Sequence, residues 1–170
     1  MLIRSEIIKK WALYSGATIL IFLLQGLLLR HIVILGVFPF LYPVLAAVLA
    51  SLEGPLPGAV YALILGVACD LSLAVPIPCF YTLLFPAIAL CSAWIAKALL
   101  SDDFLCALAC SGIGFFLSGL FHSFLLWLAG QNAWGTAAWL TVREGVVSLL
   151  FSPLVFFLFS AVHKKCLRDE

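Results

Sequence analysis

Gly54-Pro-Leu-Pro-Gly58-Ala-Val-Tyr-Ala62-Leu-Ile-Leu-Gly66-Val-Ala-Cys-Asp70 decides how this chain is read. Gly54, Gly58, Ala62 and Gly66 recur every fourth residue, so on a helix they share one face. Such a face is a smooth ridge on which a second helix can lie closely. The apolar segment Pro55–Val75 that carries it is near the roughly 20 residues a membrane-crossing helix needs. The ridge ends at Asp70, and a carboxylate inside a membrane is costly without a partner or a purpose. The residues leave Asp70 open between a structural lock and a functional contact. They also leave open whether the helix on the ridge belongs to this chain or to a partner.

Working outward, the rest of the chain has the same character. Of 170 residues, 65% are hydrophobic and 10% charged, and the mean hydropathy is +1.23. That is the profile of an integral membrane protein, not of a soluble domain. Six apolar segments follow one another: Trp11–Leu29, Val33–Leu52, Pro55–Val75, Ile77–Leu100, Phe104–Ala129 and Val146–Val162. They do not alternate as barrel strands do, so the expectation is an all-α domain of six transmembrane helices spanning residues 1–170. Gly54, Pro55 and Pro57 place a turn between the second and third segments. Pro39, Pro43, Pro76, Pro78 and Pro86 predict kinks, and kinked helices leave grooves between them.

Orientation follows from the basic residues. With six spans, Arg4, Lys9, Lys10, Lys97, Lys164, Lys165 and Arg168 fall on one side and only Arg30 and Arg143 on the other. The positive-inside rule then puts both termini in the cytoplasm of a multi-pass plasma-membrane protein. The net charge of +1 carries no signal for nucleic acid. Cys69, Cys79, Cys91, Cys106 and Cys110 lie in or beside apolar helices, where free cysteine acts as a small hydrophobe. No metal site and no cofactor are expected.

Few groups could carry chemistry. At ~1.5 Å per residue, Asp70 sits roughly 22 Å from the inner surface and His122 roughly 27 Å from it. Arg143 begins the last inward-running span, so Asp70, His122 and Arg143 are expected as a polar cluster in the outer third. An ion pair from Asp70 to Arg143, or to Arg30, is the natural structural expectation. Glu53, just before a helix start, suits the helix dipole, and Glu144 reads with Arg143 as an interfacial anchor. Ser111, Gly112, Gly114, Ser118 and Gly119 give the fifth segment a second small-residue face. Phosphate loops, nucleophile elbows and zincin motifs are absent from the sequence.

Several stretches together resemble the rod shape-determining MreD family. They are Leu23-Leu-Gln25, Gly36-Val-Phe-Pro39-Phe-Leu41, Gly54-Pro-Leu-Pro-Gly58 and Gly66-Val-Ala-Cys-Asp70, with a basic tail after a Pro153-containing helix. Pro76-Ile-Pro78-Cys79 stands where that family commonly carries a proline or small residue and then glycine soon after the aspartate. The resemblance implies a non-enzymatic scaffold of the bacterial cell-elongation machinery in the inner membrane. It implies an MreC-like single-span partner bound through helix faces, with Gly54, Gly58, Ala62, Gly66 and Asp70 as the docking residues. Through that partner it implies links to a peptidoglycan polymerase and transpeptidase outside and to an MreB-like filament inside.

A second resemblance competes with the first. Substrate-binding subunits of energy-coupling-factor vitamin transporters are similar six-span chains with Gly-Pro-x-x-Gly and Gly-x-x-x-Asp segments. Ala12 and Gly16 resemble the small-residue face those subunits turn to their coupling partner. A third reading, an intramembrane enzyme using Asp70 and His122, has the least behind it.

Overall fold

The computed structural model describes residues 2–27, 29–31, 33–34, 36–72, 79–99, 104–128, 130 and 134–168. For some of these, Arg30 and Lys165 among them, only the backbone is described, and the Pro76-Ile-Pro78 stretch lies outside the described residues. The elements are α1 Leu2–Leu27, a 3-10 turn Leu29–His31, α2 Tyr42–Glu53, α3 Pro55–Ser72, α4 Phe80–Leu99, α5 Phe104–Leu128, α6 Trp134–Leu150 and α7 Ser152–Arg168. The fold is an all-helical bundle. Among the described residues, four helical stretches are long and apolar enough to cross a membrane: Ile8–Leu27, Pro55–Ser72, Phe80–Ala98 and Phe104–Phe124. A fifth arises if α6 and α7, bent by 47°, count as one span.

Two of the six expected helices differ from the sequence reading. The segment expected as a helix from Val33 to Leu52 is helical only from Tyr42. Pro39 has no N–H to give, Pro43 sits in the first turn of α2, and Gly36 takes a left-handed φ of +79°. Ile34 and Val37 exchange backbone hydrogen bonds around that glycine. The non-helical stretch that follows is served by other helices. The Phe40 N–H donates to Ser148 Oγ on α6 at 2.8 Å, and the Leu41 N–H to Gln25 Oε1 on α1 at 3.0 Å. Non-helical backbone within an apolar bundle is tolerated where the protein supplies such partners. Replacing Gln25 with Leu orphans the buried Leu41 N–H and is expected to lower unfolding free energy by about 1–3 kcal/mol. Chemical denaturation in detergent measures it, and an unchanged midpoint would show that the bond is dispensable.

The second difference is at the last expected span, Val146–Val162, which is cut at Phe151. Pro153 cannot donate to Leu149 and its ring crowds that carbonyl, so the helix restarts. Ser152 Oγ takes up the freed Leu149 carbonyl at 2.8 Å. α6 begins well before the expected boundary, at Trp134.

α2 is the core. Every residue from Tyr42 to Ala50 is buried, and α3, α4, α5 and α7 surround it. A helix apolar on all sides must be enclosed in this way. Small residues set the close approaches. A Cβ on Gly58 would lie 2.6 Å from Ala50 Cα of α2, and one on Gly114 would lie 2.9 Å from Ile88 Cγ2 of α4. On Gly119 it would overlap Thr141 of α6. Among the described residues no buried side-chain nitrogen or oxygen lacks a hydrogen-bond partner.

Candidate functional site

The ridge is covered by this chain. Gly58 faces α2, Ala62 is fully buried, and a Cβ on Gly66 would meet the Tyr81 carbonyl at 2.5 Å and Thr82 Cα at 2.7 Å. Gly54 is not part of the packing face; it ends α2 with φ of +92° and open space beside it. Gly58, Ala62 and Gly66 therefore have no free surface for a partner, which corrects their expected docking role. The sequence pattern identified a packing face but could not say whose helix fills it.

Asp70 lies one turn beyond Gly66, and the two act together. Because Gly66 lets the start of α4 lie against α3, Asp70 reaches the orphan N–H groups there. Oδ1 accepts from the Tyr81 N–H at 3.0 Å; Oδ2 accepts from the Thr82 N–H at 2.9 Å and from Thr82 Oγ1 at 2.6 Å. The first N–H groups of a helix have no intrahelical acceptor and carry its positive end, so a carboxylate is the fitting cap. Cys79, the residue preceding α4, holds a left-handed φ of 61° and has no carboxylate or amide to offer. The cap comes from α3 instead. Asp70 is a lock between two helices of this chain.

The expected ion pair from Asp70 to Arg143 does not form. The Arg143 guanidinium stands 5.0 Å from the centre of the Trp139 ring, one turn away on α6, in a cation–π contact. The alternative partner, the Arg30 side chain, lies outside the described residues. His122 flanks the α4 start from the other side, its ring 6.5 Å from that of Phe80. The structure brings Asp70, His122 and Arg143 to one end of the bundle, and among the described residues bonds none to another.

The opposite end holds a group the sequence reading undervalued. Glu53 Oε1 accepts from Tyr14 Oη at 2.7 Å and meets His163 Nδ1 at 2.7 Å, while Oε2 pairs with Lys10 Nζ at 2.6 Å. Its side chain is only 9% exposed. Burial works against its ionisation, but the hydrogen bonds from Lys10, Tyr14 and His163 prevail and hold the carboxyl below its ordinary value of 4.5. Glu53 thus ties α1 and α7 to the end of α2, and does not merely face the α3 dipole. A signal was present: Lys10, Glu53 and His163 fall at matching depths on the first, second and last helices.

Several concavities lie among the described residues, and two of them bear on function. Between α1 and α3 runs an apolar groove of about 1000 Å³, walled by Trp11, Ile19, Phe22, Val60, Ile64 and Leu71. Thr18 and Tyr61, hydrogen-bonded at 2.6 Å, lie on its floor. The second is a smaller cavity of about 280 Å³ between α4, α5 and α6, lined by aromatic rings together with His122 and Glu144. Glu144, expected as an interfacial anchor, faces this cavity. Adjacent helix residues point apart, and that separates it from Arg143. Among the described residues no group of three metal-ligating side chains converges. Compared with family models, with curated proteins and with solved structures, the chain matches none.

Proposed function

We propose that this protein is a non-enzymatic membrane scaffold of the bacterial cell-elongation machinery, of the MreD type. Its partner is an MreC-like single-span protein, whose transmembrane helix docks in the groove between α1 and α3. Through it the scaffold joins an outer peptidoglycan polymerase and transpeptidase to an inner MreB-like filament. The observation that carries the reading is the length of that groove. Its wall on α3 runs from Leu56 to Ser72, about 25 Å at ~1.5 Å per residue, close to the hydrocarbon thickness that one partner helix occupies. A helix-in-groove contact of this kind needs an apolar channel of bilayer depth.

The same reading makes the chain a six-span protein with cytoplasmic termini. α2 alone covers ~18 Å, and the non-helical Phe38–Leu41 stretch that leads into it supplies the rest of the crossing. The Glu53 end then faces the cytoplasm. The test uses Val60→Trp and Ile64→Trp, which fill the groove at exposed positions of α3. Each is expected to cut copurification of the single-span partner at least tenfold with unfolding midpoint unchanged. Equal recovery of the partner with either variant would remove the groove from the reading.

The transporter-subunit reading keeps a place because of the 280 Å³ cavity between α4, α5 and α6. Copurification with an ATPase module in place of a single-span protein would favour it.

A further inference from the structure

The cavity between α4, α5 and α6 carries a chemistry that neither the scaffold nor the transporter reading assigns, and it is independent of both. Glu144 lines it and is half-buried. Among the described residues it has neither a hydrogen bond nor an ion pair. The neighbouring cation is turned away, with Arg143 held over the Trp139 ring. An unmatched carboxylate within an apolar bundle is costly unless it is protonated or a cation binds beside it.

The rest of the lining mixes aromatic rings with leucines, His122 and the hydroxyls of Ser118, Thr136 and Thr141. Phe40, Phe80, Tyr81 and Phe115 line the same space. Their planes are not parallel: Phe80 and Tyr81 are 5.0 Å apart at 79°, and Phe40 and Tyr81 are 5.6 Å apart at 40°. Four aromatic rings and one carboxylate line the same small volume. A carboxylate beside aromatic rings attracts organic ammonium groups. The volume, about 280 Å³, equals the share of roughly nine waters, room for an ammonium with a short substituent. We propose that this cavity binds a small organic ammonium group, with Glu144 as counter-ion and the Phe40, Phe80, Tyr81 and Phe115 rings as cage. The group is either a free amine or the headgroup of an ethanolamine or choline lipid; the ammonium is common to both.

Calorimetric titration of the detergent-purified full chain tests this with choline, ethanolamine and 3,3-dimethylbutan-1-ol, the uncharged carbon analogue of choline. Choline or ethanolamine is expected to bind at least tenfold more tightly than the neutral analogue. Glu144→Gln is expected to weaken that binding at least tenfold while the ligand-free unfolding midpoint is kept. In parallel, native mass spectrometry from nanodiscs compares retention of phosphatidylethanolamine and phosphatidylglycerol. Binding of free amine alone identifies a soluble ligand. Selective retention of phosphatidylethanolamine, lost in Glu144→Gln, identifies a lipid headgroup. Equal affinity for choline and its neutral analogue overturns the proposal, as does unchanged binding by Glu144→Gln or failure of both amine and lipid to bind. Should Glu144→Gln not fold, the comparison of choline with its neutral analogue on the unaltered protein still decides.

Discussion

Glu53→Gln is expected to lower the unfolding free energy by about 3 kcal/mol, read as a fall in the denaturation midpoint in detergent. Three side chains from two other helices converge on this one carboxylate: Lys10 and Tyr14 from α1 and His163 from α7. Removing one partner of a buried ion pair leaves the rest uncompensated, which costs about 3–5 kcal/mol. The lower end applies because the Lys10 side chain is 24% exposed and regains some water. Lys10→Met is expected to cost less than Glu53→Gln. The double variant is expected to cost clearly less than the sum, since the two share one interaction. Additive losses would show that Glu53 does not act through Lys10.

The same carboxylate sets an acid dependence. Its pKa in the fold lies below the unfolded value of 4.5, so the unfolded chain binds the proton more readily. The stabilisation is therefore complete above pH 4.5 and is lost as pH falls through the lower, folded value. Stability of the native sequence is expected to decline below pH 4.5 more steeply than that of Glu53→Gln. Parallel curves would mean that other carboxyls dominate acid unfolding.

Gly66→Leu is expected to be the most damaging change on α3, abolishing a monodisperse folded protein. A Cβ there already meets backbone atoms of Tyr81 and Thr82 at 2.5–2.7 Å, and backbone cannot swing aside as a flexible side chain can. Overpacking typically costs about 1–3 kcal/mol, the range expected for Gly66→Ala alone. Separating α4 from α3 also withdraws Asp70 from the three donors it caps. Asp70→Ala leaves two helix N–H groups without an acceptor and is expected to cost about 2 kcal/mol. Because Gly66→Ala and Asp70→Ala damage the same junction, the pair is expected to lose less than the sum. Asp70→Ala with Arg143→Ala is expected to be additive within ~0.5 kcal/mol, since the two make no contact. A coupling above ~1 kcal/mol between Asp70 and Arg143 would restore the ion pair that the geometry rejects.

Much of the chain was legible without coordinates. Apolar length and helix breakers place α3, α4 and α5 within a few residues of their observed ends, because those signals are local: Pro55 opens α3, and Phe104 opens α5 after the charged residues Asp102 and Asp103 in the sequence. The second segment misled because hydropathy does not distinguish an apolar helix from apolar non-helical backbone. Its N–H groups at Phe40 and Leu41 are satisfied by Ser148 and Gln25, 108 and 16 residues away. The last segment misled because its apolar run continues smoothly through the break before Pro153.

The opening stripe divides what sequence and tertiary structure each decide. Spacing by itself determined that Gly58, Ala62 and Gly66 share a face and that Asp70 follows one turn later, because helical periodicity is a property of the segment alone. It also determined that the chain forms apolar helices suited to a bilayer. Only the tertiary structure decided what meets that face: Ala50 of α2 at Gly58, and the start of α4 at Gly66. It alone decided that Asp70 caps α4, that Glu53 gathers Lys10, Tyr14 and His163, and that Glu144 faces a cavity while Arg143 turns to Trp139. These are matters of register between helices, and a hydrogen bond over 3 Å depends on where two helices stop relative to each other. No local pattern encodes that distance.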